Sequence, residues 1–265
     1  MKNTTFTALK GLLTIMKNLY LFISLSLIMG TVSLQAQKQF RVLLFTKTNG
    51  WHHESIHEGV AAMRGLAERH VFDIEWHEDP ARFNDANLAK FDVIVFLNTT
   101  GDILNDAQQA AMEKFIRAGK GFVGVHSASD TEYGWEWYTK LVGRMFKIHP
   151  PTQTAQLRFT QNKFPGLELF RESNLWTDEW YDFGPEKITG LNYILAVDES
   201  TYNAKAQWGD NKTEGMGFHP VAWYHDYDGG RSFYTALGHV PAIYSDPAFL
   251  NHLYAGLYYA AKGKK

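Results

Sequence analysis

The sequence predicts a doubly wound α/β protein: a mostly parallel sheet with helices on both faces, extended by antiparallel strands in the C-terminal half. Three observations carry that prediction. Short apolar runs alternate with amphipathic helical segments through about residue 145, which calls for right-handed crossovers and a parallel sheet. Asp226-Tyr-Asp-Gly-Gly230 separates two further apolar runs and reads as a hairpin connection. Gly121-Phe-Val-Gly-Val-His126-Ser-Ala-Ser-Asp130-Thr131 is an apolar strand ending in a turn of small polar residues, the strand-to-helix elbow at which such sheets present reactive side chains.

Each element has its own local reason. Phe40–Thr46 is a short apolar run bounded by turn residues, a buried first strand. Ser55-Ile-His-Glu58 has capping-box spacing, and Ile56, Val60, Met63 and Leu66 then recur at helical intervals. Phe72–Trp76 alternates as a second strand, while Phe91–Leu97 is nearly continuously apolar, as a centre strand covered on both faces should be. Asn105-Asp-Ala-Gln108 caps a helix to about Ala118, which Gly119-Lys-Gly121 stops. Beyond 145 the pattern changes to strand-like runs, Ala155–Thr160 and Asn192–Val197, between long loops. Pro220–His225 and Arg231–Leu237 form the expected antiparallel pair, and Pro247 opens a last amphipathic helix through about Ala261, leaving Lys262–Lys265 as a disordered tip.

A chain of 265 residues that is 45% hydrophobic can bury one core, so residues 37–265 are expected to form a single domain. Residues 1–36 read differently. Lys17-Asn18 precedes the apolar run Leu19–Met29 and then small and polar residues ending at Ala36, the order of a signal peptide, with Met16 as an alternative start. The apolar stretch is short for a membrane span, so a cleaved leader is expected, placing the mature protein in the periplasm or outside the cell, and an uncleaved anchor is the alternative. Cleavage removes three lysines and no acid, taking the formal charge from −2 to −5. Such a mildly acidic chain has no electrostatic footprint for nucleic acid or anionic membrane. With no cysteine, thiolate catalysis, disulfides and thiolate metal sites are excluded by composition.

The crevice of a doubly wound sheet lies beyond the carboxyl ends of its strands, so the candidate site residues come from the loops there. His126 at the elbow, with Asp130 four residues on to orient its ring, and His239 at the end of another apolar run are the catalytic candidates. Both suit general acid–base work or ligation of a divalent ion, with His149 as a third candidate ligand. His53, Glu54, Thr100, Asp102, Asp178, Glu179 and Trp180 are the candidate substrate contacts. In Trp176-Thr-Asp-Glu-Trp-Tyr181 the mix of aromatic rings and carboxylates suits a sugar, and reads equally as a half-buried strand with alternating faces. His53-Glu-Ser-Ile-His57 matches H-E-x-x-H formally, but Ser55 as helix cap leaves His53 and Glu54 outside the helix and removes the zinc-protease geometry. Against these readings stand plainer ones: polar loop residues as turn formers and caps, and His126 as a hydrogen-bonded core-edge ring.

Taken in order, His53-Glu-Ser-Ile56, Phe96-Leu-Asn-Thr-Thr-Gly-Asp102, the Gly121–Thr131 elbow, His149-Pro150, Thr177-Asp-Glu-Trp-Tyr181, Pro220-Val-Ala-Trp223 and Leu237-Gly-His239 resemble the ThuA-like (trehalose utilisation) family from about Phe40 to Ala261. His52 departs from the residue expected in many relatives, which bears on that loop's contacts and not on the fold. The resemblance implies a fold similar to class I glutamine amidotransferases, related to the flavodoxin-like sheet, with the elbow cysteine replaced. It also implies a role in disaccharide metabolism through 3-keto sugar intermediates. The expectation is therefore a periplasmic or secreted carbohydrate-active protein acting on 3-keto or otherwise oxidised sugars or glycosides, by hydrolysis, elimination or isomerisation. Its chemistry would be acid–base or assisted by a divalent metal; the alternative is a non-catalytic sugar-binding protein that keeps the crevice.

Overall fold

Alternating apolar and amphipathic runs place nine strands in one sheet, described here from a computed structural model that covers residues 16–17, 37–160, 163–170 and 174–263. The chain divides into two units, Met1–Gln37 and Lys38–Lys265, and the sheet belongs to the second. The expected leader lies, apart from Met16, Lys17 and the boundary at Gln37, outside the described residues.

In chain order the elements are β1 (Arg41–Phe45), α1 (Ile56–His70), β2 (Asp73–His77), α2 (Asp85–Leu88), β3 (Val93–Leu97), α3 (Asp106–Arg117), β4 (Gly121–Val125), α4 (Glu136–Val142) and β5 (Phe146–Ile148). There follow β6 (Gln153–Phe159), β7 (Leu175–Asp178), β8 (Asp182–Phe183), β9 (Asn192–Asp198), β10 (Gln207–Trp208), β11 (Asn211–Lys212), β12 (His219–Tyr227), β13 (Gly230–Thr235) and α5 (Pro247–Lys262). The large sheet runs β2-β1-β3-β4-β13-β12-β9-β6-β7. Its first five strands are parallel, and from β13 onward every pair is antiparallel, the extension the sequence predicts.

β3 and β4 are buried at every residue, in keeping with their continuously apolar sequence, whereas the edge strand β2 is half-buried throughout. Helices cover both faces. Phe122 points to one side, its ring 5.8 Å from that of Tyr138 in α4. Gly121 points to the other, where α5 comes so close that a Cβ would lie 2.3 Å from the Ala260 carbonyl oxygen, so glycine is required. Among the described residues no helix is long and apolar enough to cross a membrane.

Local signals hold with two exceptions. The capping box opening α3 forms in full: Gln108 N donates to Asn105 Oδ1 at 3.1 Å and Asn105 N to Gln108 Oε1 at 2.9 Å. Ser55 does precede α1, yet its side chain makes no capping bond there; the hydroxyl donates to the Gly238 carbonyl at 2.9 Å and accepts from Asn98 Nδ2 at 2.8 Å. A buried hydroxyl among converging loops is better satisfied by those partners than by its own helix. At the other end, Lys262 completes α5 and Gly263 caps it in a left-handed conformation, so these two residues are ordered where a disordered tip was expected; Lys264 and Lys265 lie outside the described residues.

Candidate functional site

β1, β3, β4 and β13 all end on the same edge, and their following loops meet there. The backbone turns sharply at two of these ends: Asn98 and His126 hold φ of 52° and 50°, left-handed values that non-glycine residues rarely adopt. After β13, Gly238 at φ 137° lets the chain pass under the elbow, where a Cβ would lie 3.2 Å from that of His126.

His126 is wholly buried, and its Nδ1 lies 2.7 Å from the Ala236 carbonyl. A carbonyl only accepts, so Nδ1 carries a hydrogen and Nε2 is the nitrogen aimed inward, 3.6 Å from Glu179 Oε2. His239 Nδ1 lies 3.3 Å from the same oxygen, and both nitrogens are buried with no hydrogen-bond partner among the described residues. His53 completes the group, its ring centre 4.8 Å from that of His126 and 5.5 Å from that of His239, with Nδ1 3.3 Å from Ser127 Oγ. One donor atom from each of His53, His126, Glu179 and His239 lies within 4.8 Å of the other three.

The electrostatics follow from burial. Desolvation, reinforced by the imidazoles of His126, His239 and His149, drives His53 down to about 2, so it stays neutral at any working pH. Burial also lowers His239, against the opposing pull of Glu179. For Glu179 burial pushes upward, but the surrounding His126, His149 and His239 rings outweigh it and hold the carboxyl below its ordinary value. The result is an ionised carboxylate facing inward-directed imidazole nitrogens, a set of donors able to hold a divalent cation.

Above this cluster opens a pocket of about 420 Å³. His53, Glu179 and His239 form one part of its wall, and Asp130, His149 and Thr152 contribute other polar groups. Trp51, Phe146, Tyr181 and Trp208 line it with aromatic faces.

The family profile of ThuA, described as trehalose utilisation, matches residues 41–260. The chain belongs to the ThuA family. Solved structures agree on the fold. A protein described as ThuA-like from Bacteroides uniformis superposes with a TM-score of 0.71 at 18% identity, over 89% of this chain and 96% of that one. Another, from Parabacteroides merdae, gives 0.67 at 19% identity, over 86% and 91%. A β-galactosidase from Bacillus circulans shares the fold over 85% of this chain but only 31% of its own, with a TM-score of 0.52 at 15% identity. Among curated proteins the chain has no match.

In this ThuA protein the residues singled out from sequence meet different fates. His126, His239 and Glu179 do converge. Asp130 does not orient His126: residues 126–130 coil into a short 3-10 turn that carries the carboxylate up to the pocket wall, where Tyr133 Oη donates to it at 2.8 Å, and the Ala236 carbonyl holds the ring instead. Burial raises the Asp130 carboxyl above its ordinary value. His149 lies outside the four-donor set and pairs with Glu179 Oε1 at 3.1 Å, so the donor atoms gathered with those of His126 and His239 are from His53 and Glu179.

Five expected substrate contacts lie outside the pocket wall. Asp178 is wholly buried, lies outside the pocket wall and accepts from the backbone N–H groups of Gly238, His239, Val240 and Glu179. Trp180 is buried with its Nε1 donating to the Gln153 carbonyl at 3.0 Å. Thr100 is buried and ties down residues 50 and 51, accepting from Gly50 N and donating to the Trp51 carbonyl. Asp102 is exposed, its carbonyl held by Asn49. Glu54 is exposed and outside the pocket wall, although its charge acts on His239. His53 and Glu54 both precede α1 and His57 is exposed, so the protease-like pattern has no geometry behind it. Trp51 and Trp208 carried no sequence signal: each stands in an irregular loop or a two-residue strand, where no periodicity marks a face.

Proposed function

We propose that this ThuA protein is a carbohydrate-active enzyme acting outside the cytoplasm on an oxidised sugar, foremost a 3-keto glycoside. The observation that carries the reading is the convergence of three imidazoles and one carboxylate beneath an aromatic-walled pocket. Two of its buried nitrogens, His126 Nε2 and His239 Nδ1, have no hydrogen-bond partner among the described residues. Three nitrogens and one oxygen suit zinc or a similar ion, and the Ala236 carbonyl on His126 Nδ1 is the outer support that ligating histidines use. A cation held there supplies polarisation of a ketone oxygen.

The chain's own groups do the rest. Trp51, Tyr181 and Trp208 stack on the apolar faces of a sugar ring. A ketone at C3 acidifies the C2–H bond, and the C1–O bond stands β to the carbonyl. Asp130, on the wall with a raised pKa, takes the C2 proton. The C1–O bond then breaks, the departing oxygen taking a proton from His149 or water. Addition of water to the resulting unsaturated ketone completes hydrolysis; stopping short gives elimination.

Incubating the mature chain with a 3-keto glucoside and following release of the aglycone tests this. Turnover that disappears in Asp130→Asn supports it. Saturable binding without turnover would instead make the chain a sugar-binding protein. The extracytoplasmic location is checked by N-terminal sequencing of periplasmic material, which should begin near Gln37; intact residues 16–36 in a membrane fraction would reject cleavage.

A further inference from the structure

Behind the pocket wall lies a second cluster that the proposed chemistry does not use. Asp182 in β8, Glu199 in the turn after β9 and His219 at the start of β12 bring one donor atom each within 4.8 Å of the others. The His219 side chain is fully buried, with Nε2 2.9 Å from the Tyr181 carbonyl. That carbonyl only accepts, so Nε2 carries a hydrogen. Nδ1 then faces Glu199 Oε1 at 2.8 Å and Tyr202 Oη at 3.0 Å. In a neutral ring, a nitrogen lone pair would meet a carboxylate oxygen, which is repulsive unless a positive charge lies between them.

A proton on Nδ1 would satisfy Glu199, but the Asp182 carboxylate, held by backbone N–H groups of Gly215 and Glu214, would still keep one oxygen unpaired. Asp182 is 5% exposed, and its Oδ1 is buried with no hydrogen-bond partner among the described residues. The Tyr202 hydroxyl has one proton and can serve only one acceptor of the cluster. Lys147 and Lys212 line the adjoining groove, of about 410 Å³, yet among the described residues neither forms an ion pair with Asp182. The backbone N–H groups of Met216 and Gly217 hold Glu199, one on each oxygen, and leave further lone pairs free.

We propose that Asp182, Glu199 and His219 form a second divalent-cation site, separate from the pocket. A doubly charged ion balances the two carboxylates, accepts the His219 lone pair, and gives Asp182 Oδ1 the partner it lacks. The imidazole favours an ion of the zinc or manganese type over calcium or magnesium. The Nε2–H donated to a backbone carbonyl is the support such a ligand needs. Its ligands come from three separate segments, and Asp182 directly follows the Glu179–Tyr181 stretch of the pocket wall. The ion therefore pins that wall from behind; it does not meet the substrate.

Zinc stoichiometry and thermal unfolding of the mature chain, stripped with chelator and reloaded with Zn²⁺ alone, test the site. A His126→Ala/His239→Ala background removes the pocket cluster. That background should retain one zinc per chain and gain several degrees in Tm on reloading, since binding to the folded state alone raises stability. Adding Asp182→Asn, which keeps the side-chain volume, or His219→Gln should abolish both effects. The wild type should hold two zinc ions and Asp182→Asn alone one, a comparison that survives if the background variant folds poorly. Zinc that persists through both Asp182→Asn and His219→Gln, or a background and a wild type that each bind none at this cluster, overturns the proposal. A wild type holding a single zinc that only the Asp182 and His219 changes remove would instead count against the cation in the pocket.

Discussion

His126 sits in the left-handed backbone region at the end of a fully buried strand, a conformation that costs on the order of 1–3 kcal/mol and persists only where the surroundings impose it. The Ala236 carbonyl and the pass of Gly238 beneath it impose it here. Because His126 and His239 share Glu179 Oε2, they should act as one unit. Replacing either by alanine is expected to remove most of the turnover of a 3-keto glycoside, and replacing both little more; losses that multiply would argue for independent roles. His57→Ala, on the exposed face of α1, should leave the rate unchanged. Asp178→Ala should cost about 2–4 kcal/mol in urea unfolding, because it strands several buried backbone donors at once; a loss under about 0.5 kcal/mol would show that those donors find other partners. Asp178 and Glu179 also show where sequence reading stops. Both carboxylates were visible as candidates, but only the phase of β7 and the turn after it decide that one locks a loop and its neighbour faces the pocket. His53 was visible as a contact and not as a ligand, because its partners stand at three distant points in the sequence.

At the level of elements, the strands and helices that a single period governs were legible: β3 and β4 from unbroken apolar runs, α3 from its capping box, and the β12–β13 hairpin from its glycine turn. The two-residue strands β10 and β11 were not, since a pair that short leaves no pattern. Yet that hairpin brings Trp208 to the pocket. Trp208→Ala should raise KM about tenfold, the loss of one stacking contact of roughly 1–1.5 kcal/mol, with unfolding unchanged because the ring is half-exposed. An unchanged KM would remove the hairpin from the site. Gly121→Ala belongs to the packing of β4 on α5. It should destabilise the fold by about 2 kcal/mol or more, since a methyl group would meet the Ala260 backbone, which has no flexible end to move away; a neutral result in thermal unfolding would show that α5 can shift.

For the whole molecule, acid is the expected weakness. His225 and His252 are buried away from the site, and desolvation lowers them to about 4 and about 3. Their ordinary value of 6.5 returns on unfolding, so below that pH the unfolded chain binds more protons than the folded one. The stability they provide is complete above pH 6.5 and drains away as pH falls toward 4 and 3, by on the order of 3 kcal/mol for His225 and about 5 kcal/mol for His252. Neither His252 nitrogen has a hydrogen-bond partner among the described residues, so His252→Leu should flatten this acid slope in urea titrations at pH 7, 6 and 5. A slope unaltered by the change would show that His252 is not the group being protonated.

The central claim is that His53, His126, Glu179 and His239 hold a cation that serves sugar chemistry in the pocket above them. It is tested most directly by assaying 3-keto glucoside cleavage with chelator-stripped mature protein before and after zinc is restored, in the wild type and in His126→Ala/His239→Ala. The account predicts that stripping abolishes turnover, that zinc restores it in the wild type, and that the double variant stays inactive although it folds. Full turnover by the stripped wild type, or restoration by zinc in the double variant, would contradict it.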